Sequence, residues 1–300
     1  MSRLAIKVDV DTERGTRDGV LPLAELCRQH HVPALFLFSL GRDNMGRSIR
    51  RVFQPGFLKK VTRTRVVANY GLRTLLNGVL WPGPHLGRRY GSIMRQVRDL
   101  GFETGIHCYD HYRWQNHVQR LNRAETLQEF QKATAEFERV FGEPAQAAGA
   151  PGWQCTPHSL AACDAAGLHY ASDTRGIRPF RPRLAGQTFQ VIQVPTTLPT
   201  LDEVLGRPEF PESDLRAHYL GLIRQPGDHV LTVHAELEGL RYREFLGQLL
   251  SGATAAGVAF CSLRQLADAA RGTETPAPVC EIQQRELPGR SGLLAVQATA

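Results

Sequence analysis

Two aspartates stand two positions apart in IKVDVDT, residues 6–12, and two histidines stand four apart in GIHCYDH, residues 105–111. Leu4 to Val10 is a short run of apolar and β-branched residues and reads as a strand. Asp9 and Asp11 therefore point to one side of it, a few ångströms apart. Like charges that close raise each other's pKa unless something positive lies between them. His107 and His111, one helical turn apart, can bring both imidazoles to a single point. Two histidines and one carboxylate leave a coordination position open for water, as in catalytic zinc sites. The same donor set suits Mn, Co or Fe. Cys108 stands where an HExxH motif needs its glutamate, which excludes the zincin pattern. Taken singly, these residues have plainer readings: a strand end feeding a turn, or surface and core histidines.

The elements that must position these groups alternate. After the first strand comes a helix near Val20 to His30, then a buried strand in PALFLFSL. SIMRQVRDLG reads as a helix closed by Gly101, and FETGIH as a strand ending at His107. NRAETLQEFQKATAEFERVFG is the best helix, with a capping box from Asn122 and Glu125. Its stripe is Leu127, Phe130, Phe137 and Phe141, and Gly142 closes it. Shorter strands follow in LHYASD, FQVIQVP and HVLTVH, then a helix over Tyr242 to Ala256, strand VAFC and helix SLRQLADAA. Strands alternating with helices predict a parallel sheet or barrel. Asp9, His107, Asp173 and His234 each fall at the C-terminal end of a predicted strand, and in a (β/α) barrel those ends share one mouth. We expect one barrel over residues 1–272, with a basic and apolar insertion at about 44–90. The Pro- and Gly-rich residues 273–300 read as an extension, packed on the surface or partly disordered.

The chain has 300 residues, 42% hydrophobic and 22% charged, with six scattered cysteines and no CxxC pair. This is the composition of a globular protein with reduced thiols. No apolar run approaches the roughly 20 residues of a membrane span, and no signal-peptide core follows Met1, so a cytoplasmic location is expected. The net charge of +7 is local in origin: Asn44 to Arg98 holds twelve cations and no acid, while the remainder is net negative. That excess predicts an anionic partner at one face.

VDVDT, HCYDH, APGW, SDTRG and LTVHAELEG come in the order and approximate spacing of the five motifs of the NodB-like polysaccharide deacetylases, which the chain resembles. The resemblance implies an α/β fold, a distorted (β/α) barrel of the polysaccharide deacetylase (NodB homology) type, and metal-dependent hydrolysis of a linear amide. Carried over position by position, it makes Asp11, His107 and His111 the ligands of one divalent metal ion (Zn, or Mn, Co or Fe). It makes Asp9 the general base, His234 the general acid, and Asp173 the group that orients His234 and keeps it protonated. A backbone N–H of the Gly152–Trp153 turn would hold the oxyanion. The third motif usually carries an arginine paired with the base. Ala150 stands there instead, and Arg175 is the candidate to supply that charge from another strand.

DVDTERGTRDGV, DNMGR, LWPG, SDTRGIRPFRP and LPTLDEVLGR are similar to one subfamily, the 4-deoxy-4-formamido-L-arabinose-phosphoundecaprenol deformylases, over almost the whole chain. That similarity implies removal of formate from an N-formyl aminosugar on a polyprenyl phosphate at the cytoplasmic face of the inner membrane. The free aminosugar would then cap lipid A phosphates and weaken binding of cationic peptides such as polymyxin. The implied partners are a lipid-linked aminosugar and an anionic membrane surface. The basic region fits that surface: Arg47, Arg50, Arg51, Lys59, Lys60, Arg63 and Arg65 are interleaved with Phe53, Phe57, Leu58, Val66 and Val67, as in interfacial amphipathic elements. Each such cation is worth about 1 kcal/mol near anionic lipid. A nucleic-acid partner is not expected, because no recognition motif is present and the interleaved residues are mostly aliphatic. Two rivals remain: a non-catalytic lipid-phosphate binder on the same barrel, and a deacetylase of another N-acyl glycan. The first predicts broken metal ligands, whereas all three are present. A deacetylase of soluble or cell-wall glycans would usually carry a secretion signal and lack the basic insertion.

Overall fold

The structure, a computed structural model, describes residues 2–47, 77–79, 81–272 and 277–298. Along β1 (Ser2–Val10) the side chains alternate between two cores. Leu4, Ile6, Val8 and Val10 enter the larger core beside Leu23, Ala24 and Cys27 of α1 (Val20–Gln29), while Ala5 enters a second core on the other face. Lys7 and Asp9 share the face of Ala5 by the same alternation. The chain continues through β2 (Leu35–Ser39), α2 (Leu86–Asp99), β3 (Glu103–Cys108), α3 (His111–His117), α4 (Arg123–Phe141), β4 (Ala147–Ala148) and α5 (Pro157–Ala165). Then come β5 (Tyr170–Ala171), β6 (Arg181–Leu184), β7 (Gln187–Thr188), β8 (Ile192–Gln193), α6 (Leu201–Val204), α7 (Leu215–Ile223) and β9 (Gly227–His234). The last elements are α8 (Arg243–Ala255), β10 (Ala259–Phe260), α9 (Leu263–Arg271), β11 (Val279–Glu286) and β12 (Leu293–Gln297).

Eight strands form one sheet in the order β10-β1-β2-β3-β4-β5-β8, with β9 also paired to β1, and every pair is parallel. Parallel strands share one carboxyl edge. β1, β3, β5 and β9 bring Asp9 and Asp11, His107, Asp173 and His234 to it. The β1–β9 register runs from Ser2 opposite Gly227 to Asp9 opposite His234, so these two side chains stand on the same face of adjacent strands.

Several expectations need correction. His107 lies on β3 and His111 opens α3, so the two do not share a helical turn. The chain leaves the strand, turns at Tyr109 and Asp110, and starts the helix with Asp110 as cap, its Oδ1 accepting Arg113 N–H at 2.9 Å. The capping box of α4 and its Gly142 close in the left-handed region (φ 77°) are as expected, but Leu127 is exposed; the buried stripe is Thr126, Phe130, Ala133, Phe137, Val140 and Phe141. α2 begins at Leu86, inside the residues assigned to the insertion. Of the two readings offered for the C-terminal extension, residues 279–297 take the packed one. β11 and β12 form an antiparallel hairpin, and β11 pairs with β6 in a second, four-stranded sheet. The Pro- and Gly-rich LPGRSG is its turn, with Gly289 and Gly292 at positive φ. Of the basic residues singled out, Arg47 donates to Gly78 O at 3.1 Å; Arg50, Arg51, Lys59, Lys60, Arg63 and Arg65 lie outside the described residues. No helix among the described residues is long and apolar enough to cross a membrane.

Candidate active site

At the carboxyl edge, His107 Nε2 and His111 Nε2 lie 3.2 and 3.4 Å from one oxygen, Asp11 Oδ1. One ligand atom from each residue falls within 4.8 Å of the others, and all three residues are buried. His107 Nδ1 is 2.6 Å from Gly149 O. A carbonyl only accepts, so Nδ1 carries the proton and Nε2 presents a lone pair, the orientation typical of metal-ligating histidines. Asp11 Oδ1 and His111 Nδ1 are buried without hydrogen-bond partners. Convergent lone pairs around an unpartnered carboxylate oxygen fit a bound cation. Burial opposes the ionisation of Asp11, but the two imidazoles outweigh it and hold the carboxyl well below the usual range.

Asp9 sits beside this group, with Oδ1 4.0 Å from His107 Nδ1 and Oδ2 3.5 Å from Lys7 Nζ. Lys7 is fully buried and donates to Ser172 O at 3.3 Å. Burial lowers its pKa, against the raising charges of Asp9 and Asp173. Arg175, expected to pair with the base, is committed elsewhere. Its Nη1 is 2.5 Å from Glu203 Oε1, Nη2 donates to Leu198 O and Nε to Thr196 O, with the guanidinium 4.9 Å from the Trp153 ring centre.

Asp173 is likewise engaged. It accepts Ala150 N–H at 2.8 Å and the Gln193 amide at 3.0 Å; neither hydrogen bond goes to His234, which it was expected to orient. His234 Nδ1 is buried without a partner, and its backbone N–H donates to Glu238 at 2.8 Å. Burial pulls the His234 pKa down, but the carboxylates of Asp202, Asp11, Asp9 and Glu238 raise it above the ordinary value. Asp202, from LPTLDEVLGR, is the largest of these charges. In the Gly152–Trp153 turn, Trp153 N–H closes onto Ala150 O at 3.2 Å, which leaves Gly152 as the candidate oxyanion donor. Both residues have positive φ, 59° and 51°, a conformation costly for Trp153 and common where a site constrains the backbone.

Two glutamates of HAELEG were missed as site residues. Glu236 Oε1 accepts Asp11 N–H, Thr12 N–H and the Thr12 hydroxyl at 3.1, 2.9 and 2.8 Å, which fixes the loop carrying Asp11. Burial, and then the charge of Asp11, push Glu236 up to about 7; burial does the same to Glu238. A Cβ on Gly15 would lie 2.0 Å from Glu236 Oε1, so only glycine admits this contact. The sequence signal was an acid two residues past a strand-end histidine; its burial and its grip on the turn after Asp11 come from the fold.

No family model matches the chain. It is 36% identical over 299 residues to a Shewanella sediminis protein described as 4-deoxy-4-formamido-L-arabinose-phosphoundecaprenol deformylase ArnD, covering 100% of this chain and 96% of the relative. A protein of the same description from Wigglesworthia glossinidia brevipalpis is 30% identical over 285 residues, 94% of this chain and 98% of the relative. Among solved structures, a polysaccharide deacetylase from Mycobacterium smegmatis superposes with TM-score 0.63 at 17% identity, over 95% of this chain and 94% of that one. That likeness establishes the distorted (β/α) barrel expected from the motifs. The chain belongs to the ArnD family of 4-deoxy-4-formamido-L-arabinose-phosphoundecaprenol deformylases, amide hydrolases on the polysaccharide deacetylase fold.

Proposed function

We propose that this chain hydrolyses the N-formyl amide of 4-deoxy-4-formamido-L-arabinose on undecaprenyl phosphate, releasing formate and the free aminosugar lipid. Asp11, His107 and His111 would hold one divalent metal, and the product would serve lipid A modification and resistance to cationic peptides. The observation that carries the reading is the convergence of both imidazole Nε2 atoms on the unpartnered Asp11 Oδ1 beside Asp9, in a chain similar throughout its length to ArnD proteins.

A divalent cation at that point supplies Lewis acidity, making water a stronger acid and an amide carbonyl a better electrophile. Asp9 is the general base and takes a proton from the attacking water through Oδ1, the oxygen without a partner. Gly152 N–H would hold the developing oxyanion, since Trp153 N–H is already used by Ala150 O. His234, whose pKa the surrounding carboxylates raise against burial, would give its proton to the amine nitrogen as the C–N bond breaks. The base and acid roles fall to neighbouring residues of β1 and β9. The cations of the 44–90 region would hold the protein peripherally on anionic lipid, where a polyprenyl-linked sugar has to be met.

The test is incubation of metal-loaded protein with the formylated lipid-linked sugar, read as loss of one formyl group by mass. Loss from the formylated substrate but not from an acetylated analogue supports a deformylase. Equal turnover of both favours a general N-acyl glycan deacetylase, and binding without turnover favours the non-catalytic lipid-phosphate binder.

A further inference from the structure

Ala150 leaves the base without the arginine that the third motif usually provides, and the three donor nitrogens of Arg175 are already used by Glu203, Leu198 and Thr196. The ion pair of Asp9 is instead made by a residue of its own strand. Lys7 and Asp9 are two residues apart on β1, so strand alternation sets them on one face at a spacing that no loop movement changes. The Lys7 Nζ is 3.5 Å from Asp9 Oδ2 and 3.3 Å from Ser172 O, and lies 5.4 Å from the Trp153 ring centre.

We propose that Lys7 is the positioning residue of the base: its ammonium, anchored on Ser172 O, grips Asp9 by Oδ2 and leaves Oδ1 as the oxygen that receives the proton of the attacking water. This deepens the functional reading above and rests on its assignment of Asp9.

Three further observations agree with it. Lys7 is completely buried, and a cation there is costly unless paired and hydrogen-bonded, so a lysine without a task would be readily replaced by an apolar residue. Asp9 Oδ1 has no hydrogen-bond partner although it is buried, whereas Oδ2 has the ammonium. Gly149 serves both halves of the site. Its carbonyl accepts from His107, and a Cβ on it would lie 2.4 Å from Leu37 and 3.2 Å from Ser172 O, the acceptor of the Lys7 ammonium.

The experiment compares wild type, Lys7→Met, Lys7→Gln, Lys7→Arg and Asp9→Asn for formate release from the formylated lipid-linked sugar. Metal content and melting temperature are measured on each. The expected result is that Lys7→Met and Lys7→Gln lose about tenfold or more in kcat, with KM and metal content unchanged. Lys7→Arg should recover most of the loss. A folded, metal-loaded Lys7→Met or Lys7→Gln with kcat within about twofold of wild type overturns the proposal. So does failure of both neutral variants to fold, which makes the lysine structural. Turnover by Asp9→Asn would instead sink the assignment of the base, a separate outcome visible in the same assay.

Discussion

Asp9 and His111 have different tasks in the proposed mechanism, and their substitutions should fail in different ways. Asp9→Asn is expected to abolish formate release with metal still bound; His111→Ala should abolish it together with the metal, measured on the purified variants by elemental analysis. Wild-type turnover in either sinks the mechanism. Glu238 carries a pH prediction. Its folded value is raised by burial to about 7 from an ordinary 4.5. As pH climbs past the unfolded value, the unfolded chain ionises first, so stability is lost between about 4.5 and 7 and stays lost above that. Glu238→Gln keeps an acceptor for His234 N–H and removes the ionisation. It should melt like wild type near pH 4 and be more stable near pH 8, by at most about 3 kcal/mol. At this scale the cluster of Asp11, His107 and His111 was legible through the motifs VDVDT and HCYDH, although a strand end and a helix start, not one helical turn, bring the two histidines together. Lys7 was in plain view in IKVDVDT, on the same alternating face as Asp9 and Asp11. It was overlooked because a lysine inside an apolar strand has no motif to announce it. Asp173 was legible as a strand-end acid but not as a partner of Ala150 and Gln193, since hydrogen-bond direction depends on how β5 and β8 lie together.

At the scale of elements, the turn after β1 and the segment after β9 lock together. Residues 15–19 form a single π-helical turn, a form that recurs at functional sites, and Gly15 and Gly19 are the points of closest approach. Gly15→Ala puts a methyl against Glu236 and should cost about 1 to 3 kcal/mol in a thermal melt. It should also weaken metal affinity by loosening the loop of Asp11. A variant with unchanged metal affinity would mean that Glu236 does not hold that loop. Long elements such as α4 were legible from capping and periodicity. Leu127 was misplaced because the stripe Leu127, Phe130, Phe137, Phe141 ignores which residues face α2 and α5. Two-residue strands such as β4 and β8 carry too little pattern to be bounded from sequence, being defined by neighbours already in the sheet. Residues 273–300 read only as an extension, packed or partly disordered, and the hairpin was not legible within it because β11, VCEIQQRE, is mostly polar and exposed.

At the scale of the whole molecule, the sheet collects chemistry at one edge, and the basic region from Asn44 to Arg98 supplies the charge suited to a membrane surface. Neutralising Lys59, Lys60 and Arg63 together should weaken binding to anionic liposomes, with a shallower salt dependence than wild type in a flotation assay. Binding unaffected by the triple change would remove that region's membrane role. The second sheet is tied to the wall of the site by named contacts. Ala295 O accepts from Arg175 N–H at 2.9 Å, Gln297 N–H donates to Arg175 O at 2.8 Å, and Arg290 lies over Trp153 while pairing with Glu203 at 2.8 Å. Residues 290–297 leave the ribosome after the strands that carry Asp9, His107 and His234. Arg175, Glu203 and Trp153 therefore receive their last partners only after the residues of the site edge have been made. The wall of the site is completed last in each molecule, and a chain cut short before Arg290 would lack the groups that pack on Trp153 and pair with Arg175 and Glu203.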